Sequence, residues 1–500
     1  MDTHEQDQDR RIEMNAEAIA GMTDYLRELR DHFEPISAFV ERVPARWKAT
    51  MRLVRTMVGF GAMAIMLVKA GAWYYNRQQL EAMAERYMSV ARDLYYSENN
   101  PDVALPFVDK AIAIDDENPD YLFFKDYILG MSVTRRLLNL DRPFTKAELD
   151  EAHRSYADAR FLEQLAPERS EPYILQGQIL AALKETSRAR QAVQKAVELD
   201  PASDFAWMRL AMIQLDEKDV AGAKESLAKA EEVNPAAKWV WLWKGVVAMD
   251  CDKDVSAARA CYEKALELDP KFDMALYNYG WSFMGKSGKD YARAREYFQK
   301  ALRVNPDYKE ACYAIGMAYG YEDNYPIAKV WMEKAVALDD GFLTGHKWSG
   351  IISGEMKDFA GAIECFGKAI HLDPMNADLY VRRAKMESAL NRDADARRDL
   401  EFALELDPGS KRSNLYLGDL MLKGSRAEDA LKFYDRAVAL DAKYSEAHAG
   451  RAKALLALGR AEEALAAVDT AIDSTGYKKE RFKPLRDEIL KTVDTRPTVE

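Results

Sequence analysis

Residues 254–270 read DVSAARACYEKALELDP, and residues 290–306 read DYARAREYFQKALRVNP. Each sets an alanine, a large apolar residue four positions on and a second alanine seven positions on: Ala258, Tyr262, Ala265 and Ala294, Phe298, Ala301. Positions spaced by four and three share one face of an α-helix. Each stretch therefore predicts a helix with a small–large–small stripe. An Asp-Pro or Asn-Pro turn follows, because a residue before proline is pushed out of helical geometry. Working outward, the leading alanine recurs at Ala189, Ala223, Ala328, Ala362, Ala396, Ala430 and Ala464, with a spacing of 34 that slips only to 35 and 36. Turn prolines stand at Pro201, Pro235, Pro270, Pro306, Pro374 and Pro408, with Asp340 and Ala442 in the same register. Ten residues beyond these turns comes a small residue on a preceding-helix partner: Ala211, Gly245, Gly280, Gly316, Gly350, Ala384, Gly418 and Ala452, with Gly177 in the first unit. The period therefore holds two helices with a small-residue notch where they meet.

Nine in-phase copies of this pattern, covering about three fifths of the chain, resemble the tetratricopeptide repeat family. The resemblance implies an all-α fold, an α-solenoid of helix pairs over residues 170–475, because a two-helix unit cannot bury its apolar face alone and must stack. It also implies binding of peptides, helices or partner proteins on the concave surface, which the first helix of each unit lines, and no chemistry. Residues 78–166 read as two irregular helix pairs, with Thr145 and Glu148 at capping-box spacing. Residues 479–493 read as a capping helix and 494–500 as a tail.

The net charge of −12 argues against a nucleic-acid partner, which requires a basic face. Cys251, Cys261, Cys312 and Cys365 have no metal-ligand spacing, and His4, His32, His153, His346, His371 and His448 are scattered. No nucleophile elbow, phosphate loop or dinucleotide fingerprint is present. The reading is of a protein that is not an enzyme and has no cofactor or metal.

Residues 1–50 form a head. Ile12, Ile19, Leu26 and Phe33 make one heptad column and Met22, Leu29 and Ile36 another, which suits either a short coiled coil that makes a homo-oligomer or a single amphipathic helix. Residues 56–75, TMVGFGAMAIMLVKAGAWYY, have the length of a transmembrane helix in a lipid bilayer, the alternative being a helix buried on the first repeats. Arg42, Arg46, Lys48, Arg52 and Arg55 precede this stretch and Arg77, Arg86 and Arg92 follow it. The positive-inside rule then predicts a single-pass protein of a bacterial inner membrane, head in the cytoplasm and repeats in the periplasm.

Offsets from the turns place Phe205, Met208, Met212, Trp239, Leu242, Val246, Met249, Met274, Tyr277, Trp281, Met284, Tyr313, Met317 and Tyr321 on the first helices of units two to five. Methionine and aromatic residues together suit an adaptable apolar groove for a helix or hydrophobic peptide. Packing between units and self-association are the competing uses. The same offsets in units six to nine give Lys347, Glu355, Asp378, Lys385, Arg412, Asp419, Lys423, Glu446 and Lys453, a charged half. Trp207 and Trp241 take an offset that belongs to packing. The family's carboxylate clamp for chaperone tails would need asparagine where this chain has Leu175, Arg209, Trp243, Asn278, Ala314, Trp348, Arg382, Tyr416 and Gly450, and only Asn278 matches. The function expected is a membrane-anchored scaffold or adaptor that recruits a protein partner in the groove. The alternatives are an assembly factor facing the cytoplasm, a self-associating scaffold, and an enzyme or regulatory subunit with a site inside the superhelix.

Overall fold

A computed structural model of the chain describes residues 48–285, 289–474 and 480–494. They form two compact bodies, residues 48–132 with 158–166, and residues 133–157 with 167–494. The heptad columns of the head lie outside the described residues.

The first body contains the 51-residue helix Lys48–Glu98 and the helix Pro101–Ile112. Ala84, Met88, Ala91 and Tyr95 from the long helix are buried with Ala104, Val108, Phe124, Tyr127 and Leu162. The Tyr95 and Tyr127 hydroxyls share a hydrogen bond of 2.9 Å, and Tyr121 donates to Glu85 at 2.8 Å. Burial, then that bond to a carboxylate, pushes the Tyr121 hydroxyl up to about 12.

The membrane expectation is corrected here: among the described residues, no helix is long and apolar enough to cross a membrane. The apolar stretch 56–75 is not a free-standing span. Lys69 interrupts it, Gly59, Gly61 and Gly71 dilute it, and the same helix runs on to Glu98, burying Ala84 to Tyr95 in a protein core. The single-pass inner-membrane localisation, with head and repeats on opposite sides, falls with it.

In the second body nine helix pairs run from Glu171 to Ser474, followed by Lys483–Asp494. Every alanine of the small–large–small stripe is fully buried, and so are Val193, Leu227, Tyr262, Phe298, Met332, Phe366, Leu400, Tyr434 and Val468 between them. The notch explains why. A Cβ on Gly280 would stand 2.6 Å from the Phe298 ring, and one on Gly245 2.4 Å from that of Tyr262. Ala211, Ala384 and Ala452 instead share their clusters with the aliphatic Leu227, Leu400 and Val468, whereas every aromatic knob meets a glycine.

In eight of the nine pairs the turn inside the pair follows one rule. Lys184, Lys218, Lys253, Asp323, Lys357, Asn391, Ser425 and Gly459 all have positive φ, between 57° and 73°. The left-handed residue recurs with the repeat although only one is glycine, so the tight helix hairpin dictates it, not residue preference.

Five of the eight turns between pairs are closed by a side chain six residues on. The indoles of Trp207 and Trp241 donate to the carbonyls of Pro201 and Pro235 at 2.9 Å, and Tyr380 donates to that of Pro374 at 3.0 Å. Where Asp340 and Ala442 replace the proline, His346 and His448 do the same through Nε2, at 2.9 and 3.0 Å. A carbonyl only accepts, so Nε2 carries the proton in both.

Candidate apolar groove

First helices of successive repeats approach one another more closely than second helices do, so they line the inner side of the curve. Repeats three to five bring most of the sequence-derived groove residues into one hydrophobic cluster. Leu242, Met284 and Met317 are buried within it, and Trp239, Val246, Met249, Met274, Tyr277, Trp281 and Tyr313 pack half-buried against it. Tyr321 is 50% exposed and stacks on Tyr291 at 5.7 Å. Phe205, Met208 and Met212 are not in that cluster. Phe205 and Met208 are buried, and Arg209 lies over the Phe205 ring at 4.6 Å and beside Met212 Sδ at 3.8 Å.

Half-burial has a specific cause. Phe272, Tyr308 and Phe342 occupy N-cap positions without a side-chain cap, and each ring packs on a first-helix aromatic of the preceding repeat. The centroid distances are 4.6 Å for Trp239–Phe272, 5.1 Å for Tyr277–Tyr308 and 5.8 Å for Tyr313–Phe342. Tyr277 and Trp281 also sit 5.7 and 5.9 Å from Phe298. Burial raises the hydroxyl pKa of Tyr277 and Tyr313 far above the ordinary value, so both stay neutral donors. These rings therefore join successive repeats and stay half-buried.

A second tie joins the repeats. Lys238, Lys309 and Lys411 each pair with the aspartate before the next turn, Asp269, Asp339 and Asp441. The same ammonium groups lie 5.0 to 5.1 Å above the rings of Phe272, Phe342 and Tyr444. A cation held by a carboxylate and an aromatic face locks one repeat to the next. The signal was present as lysine three residues after a turn proline, but only the next repeat shows what it meets.

In the later repeats the inner offsets carry paired charges. Asp378 receives Arg382 at 2.7 Å, Arg412 at 3.2 Å and Lys347 at 3.7 Å. Lys423 donates to Asp393 at 2.7 Å, Asn391 at 2.9 Å and the Ser388 carbonyl at 3.2 Å. Asn278, the one match to the clamp pattern, turns its amide to the Met274 carbonyl of its own helix at 2.8 Å.

Models described as tetratricopeptide repeat match residues 170–203, 206–236, 253–309, 309–341, 387–445 and 422–476. The chain is 29% identical over 141 residues to Protein STIP1 homolog of Dictyostelium discoideum, covering 28% of this chain and 25% of that protein. It is 30% identical over 128 residues to Tetratricopeptide repeat protein 36 of Homo sapiens, covering 25% of this chain and 62% of that one. Among solved structures, the APC/C hetero-tetramer Cut9-Hcn1 aligns over 74% of this chain and 76% of its own at 16% identity, with a TM-score of 0.45. The matched part of the first of these relatives is about a quarter of its length. The repeat pattern, its buried stripe and the family-model matches agree: the chain belongs to the tetratricopeptide repeat family.

Proposed function

We propose that this protein is a scaffold or adaptor whose repeats three to five hold an apolar, amphipathic-helical segment of a protein partner along the inner side of the array. The carrying observation is the apolar set Trp239, Val246, Met249, Met274 and Trp281, all half-buried against one cluster, with the half-exposed Tyr321 stacked on Tyr291 at the edge of that cluster. Thioether and aromatic surfaces adapt to an apolar helix face without demanding one shape. Relatives whose repeats belong to larger proteins support a binding role for the repeats alone. Of the charged inner offsets of repeats seven to nine, Asp378, Arg412, Lys423 and Glu446 are already paired within the chain.

A helical peptide library displayed on phage and selected against the whole chain tests this. Selected peptides should be apolar on one face and lose about tenfold or more in affinity to Met249→Glu or Tyr321→Glu, because a charge placed in a desolvated contact is costly. They should bind Lys385→Glu unchanged. Selection of charged peptides that depend on Lys385 would reject the reading.

A further inference from the structure

The first helix of repeat six, Leu343–Glu355, starts without a cap of its own, since Phe342 offers no acceptor. Its first two amides have a partner all the same. Leu343 N–H donates to Asp141 Oδ1 at 3.0 Å and Thr344 N–H to Asp141 Oδ2 at 2.7 Å. Asp141 lies 202 residues earlier in the chain. Repeats in a solenoid meet their immediate neighbours, so a contact that skips five repeats is outside the architecture's normal grammar.

The loop that carries Asp141 is firmly held. Arg142 forks onto Glu148 at 2.8 and 2.9 Å, and Glu148 also accepts from the Thr145 amide at 2.8 Å. Led by the Arg142 bond, these contacts hold the Glu148 carboxyl down at about 2. Leu140 and Phe144 pack with Leu137, Ala152, Ala182 and Leu183. Arg142 reaches Gly341, where a Cβ would stand 3.5 Å from its Nε. The loop therefore sits at the junction of repeats five and six, beside Phe342, on whose ring Tyr313 packs.

We propose that residues 139–144 are an intramolecular clasp that bridges the interior of the array and must release before a partner segment reaches the Tyr313 end of the groove. A carboxylate on two first-turn amides is the right chemistry for such a latch. It satisfies donors that a helix otherwise leaves to water and meets the positive end of the helix dipole. Only the blocking step rests on the groove reading.

Two measurements separate the parts. In the unaltered protein, residue-resolved hydrogen exchange should show Leu343 and Thr344 at least about tenfold slower than Lys309 and Ser445, first-turn amides of uncapped helices. Equal exchange would overturn the clasp. A synthetic peptide of residues 136–148 should then bind Asp141→Ala, whose latch is empty, at least about tenfold more tightly than the unaltered chain. The same peptide with alanine for Asp141 should bind neither protein. Circular dichroism controls for folding, and equal binding to both proteins would overturn the clasp. Neither readout involves the apolar partner, so the clasp and the groove can fail separately.

Discussion

Repeats three to five and repeats seven to nine share a backbone plan and differ in what their first helices turn inward. At the eleventh residue after the turn the early repeats carry Val246, Trp281 and Met317, and the later ones Lys385, Asp419 and Lys453. The early face is joined by rings and the later face by ion pairs such as those around Asp378. Solenoid geometry is set by the buried stripe, which both regions keep, so the inner face is free to vary. Variation there, with the core conserved in kind, separates binding from folding.

The largest expected break comes from removing a knob. Phe298→Ala takes a fully buried ring from the Gly280 notch and from Tyr277 and Trp281, and should cost about 3–5 kcal/mol in denaturant unfolding. Its counterpart Leu400→Ala removes an aliphatic knob instead of a ring held between Tyr277 and Trp281 and should cost less, about 2–3 kcal/mol. Equal losses would mean the aromatic half gains nothing from its ring contacts.

A smaller effect belongs to the later half alone. Glu387 is buried, its Oε2 has no hydrogen-bond partner among the described residues, and Arg383 is committed to Asp399 at 2.7 and 2.8 Å. Burial, reinforced by Asp399 and opposed by Arg383, raises its carboxyl to about 7. The native state then holds a proton that the unfolded chain, near 4.5, has released. Stability from this group is whole below about pH 4.5 and is lost as pH rises through 7. Glu387→Gln should flatten that fall, which is on the order of 2 kcal/mol. A pH–stability curve with the same slope in both proteins would dismiss it.

The smallest effect is electrostatic. Asp378→Asn leaves Arg382, Arg412 and Lys347 without their shared carboxylate and should cost about 0.5–1 kcal/mol, shrinking in high salt. A loss that salt leaves untouched would point to packing instead of charge.

The fold was legible because the triad that begins at Ala189 repeats with the period of its own helix pair, and every member is buried. The Thr145–Glu148 capping box was legible for the same local reason. Residue offsets could not tell Met208, which is buried, from Tyr321, which is not, because the depth of a side chain depends on the neighbouring repeat. Lysine in a left-handed turn contradicts its own preference, so the position of Lys253 was invisible until the hairpin was seen. Apolar composition at 56–75 read as a span because sequence windows ignore that the helix continues into a core. Asp141 meets Leu343 across 202 residues, and no local pattern encodes that contact.

The most direct test places a photoreactive phenylalanine analogue at Tyr321 in one protein and at Lys423 in another, matched offsets in repeats five and eight, and irradiates each with a selected amphipathic peptide. Crosslinking at position 321 with none at 423 is the expected result. Crosslinking at 423 with none at 321 would put the binding face in the charged half and contradict the account.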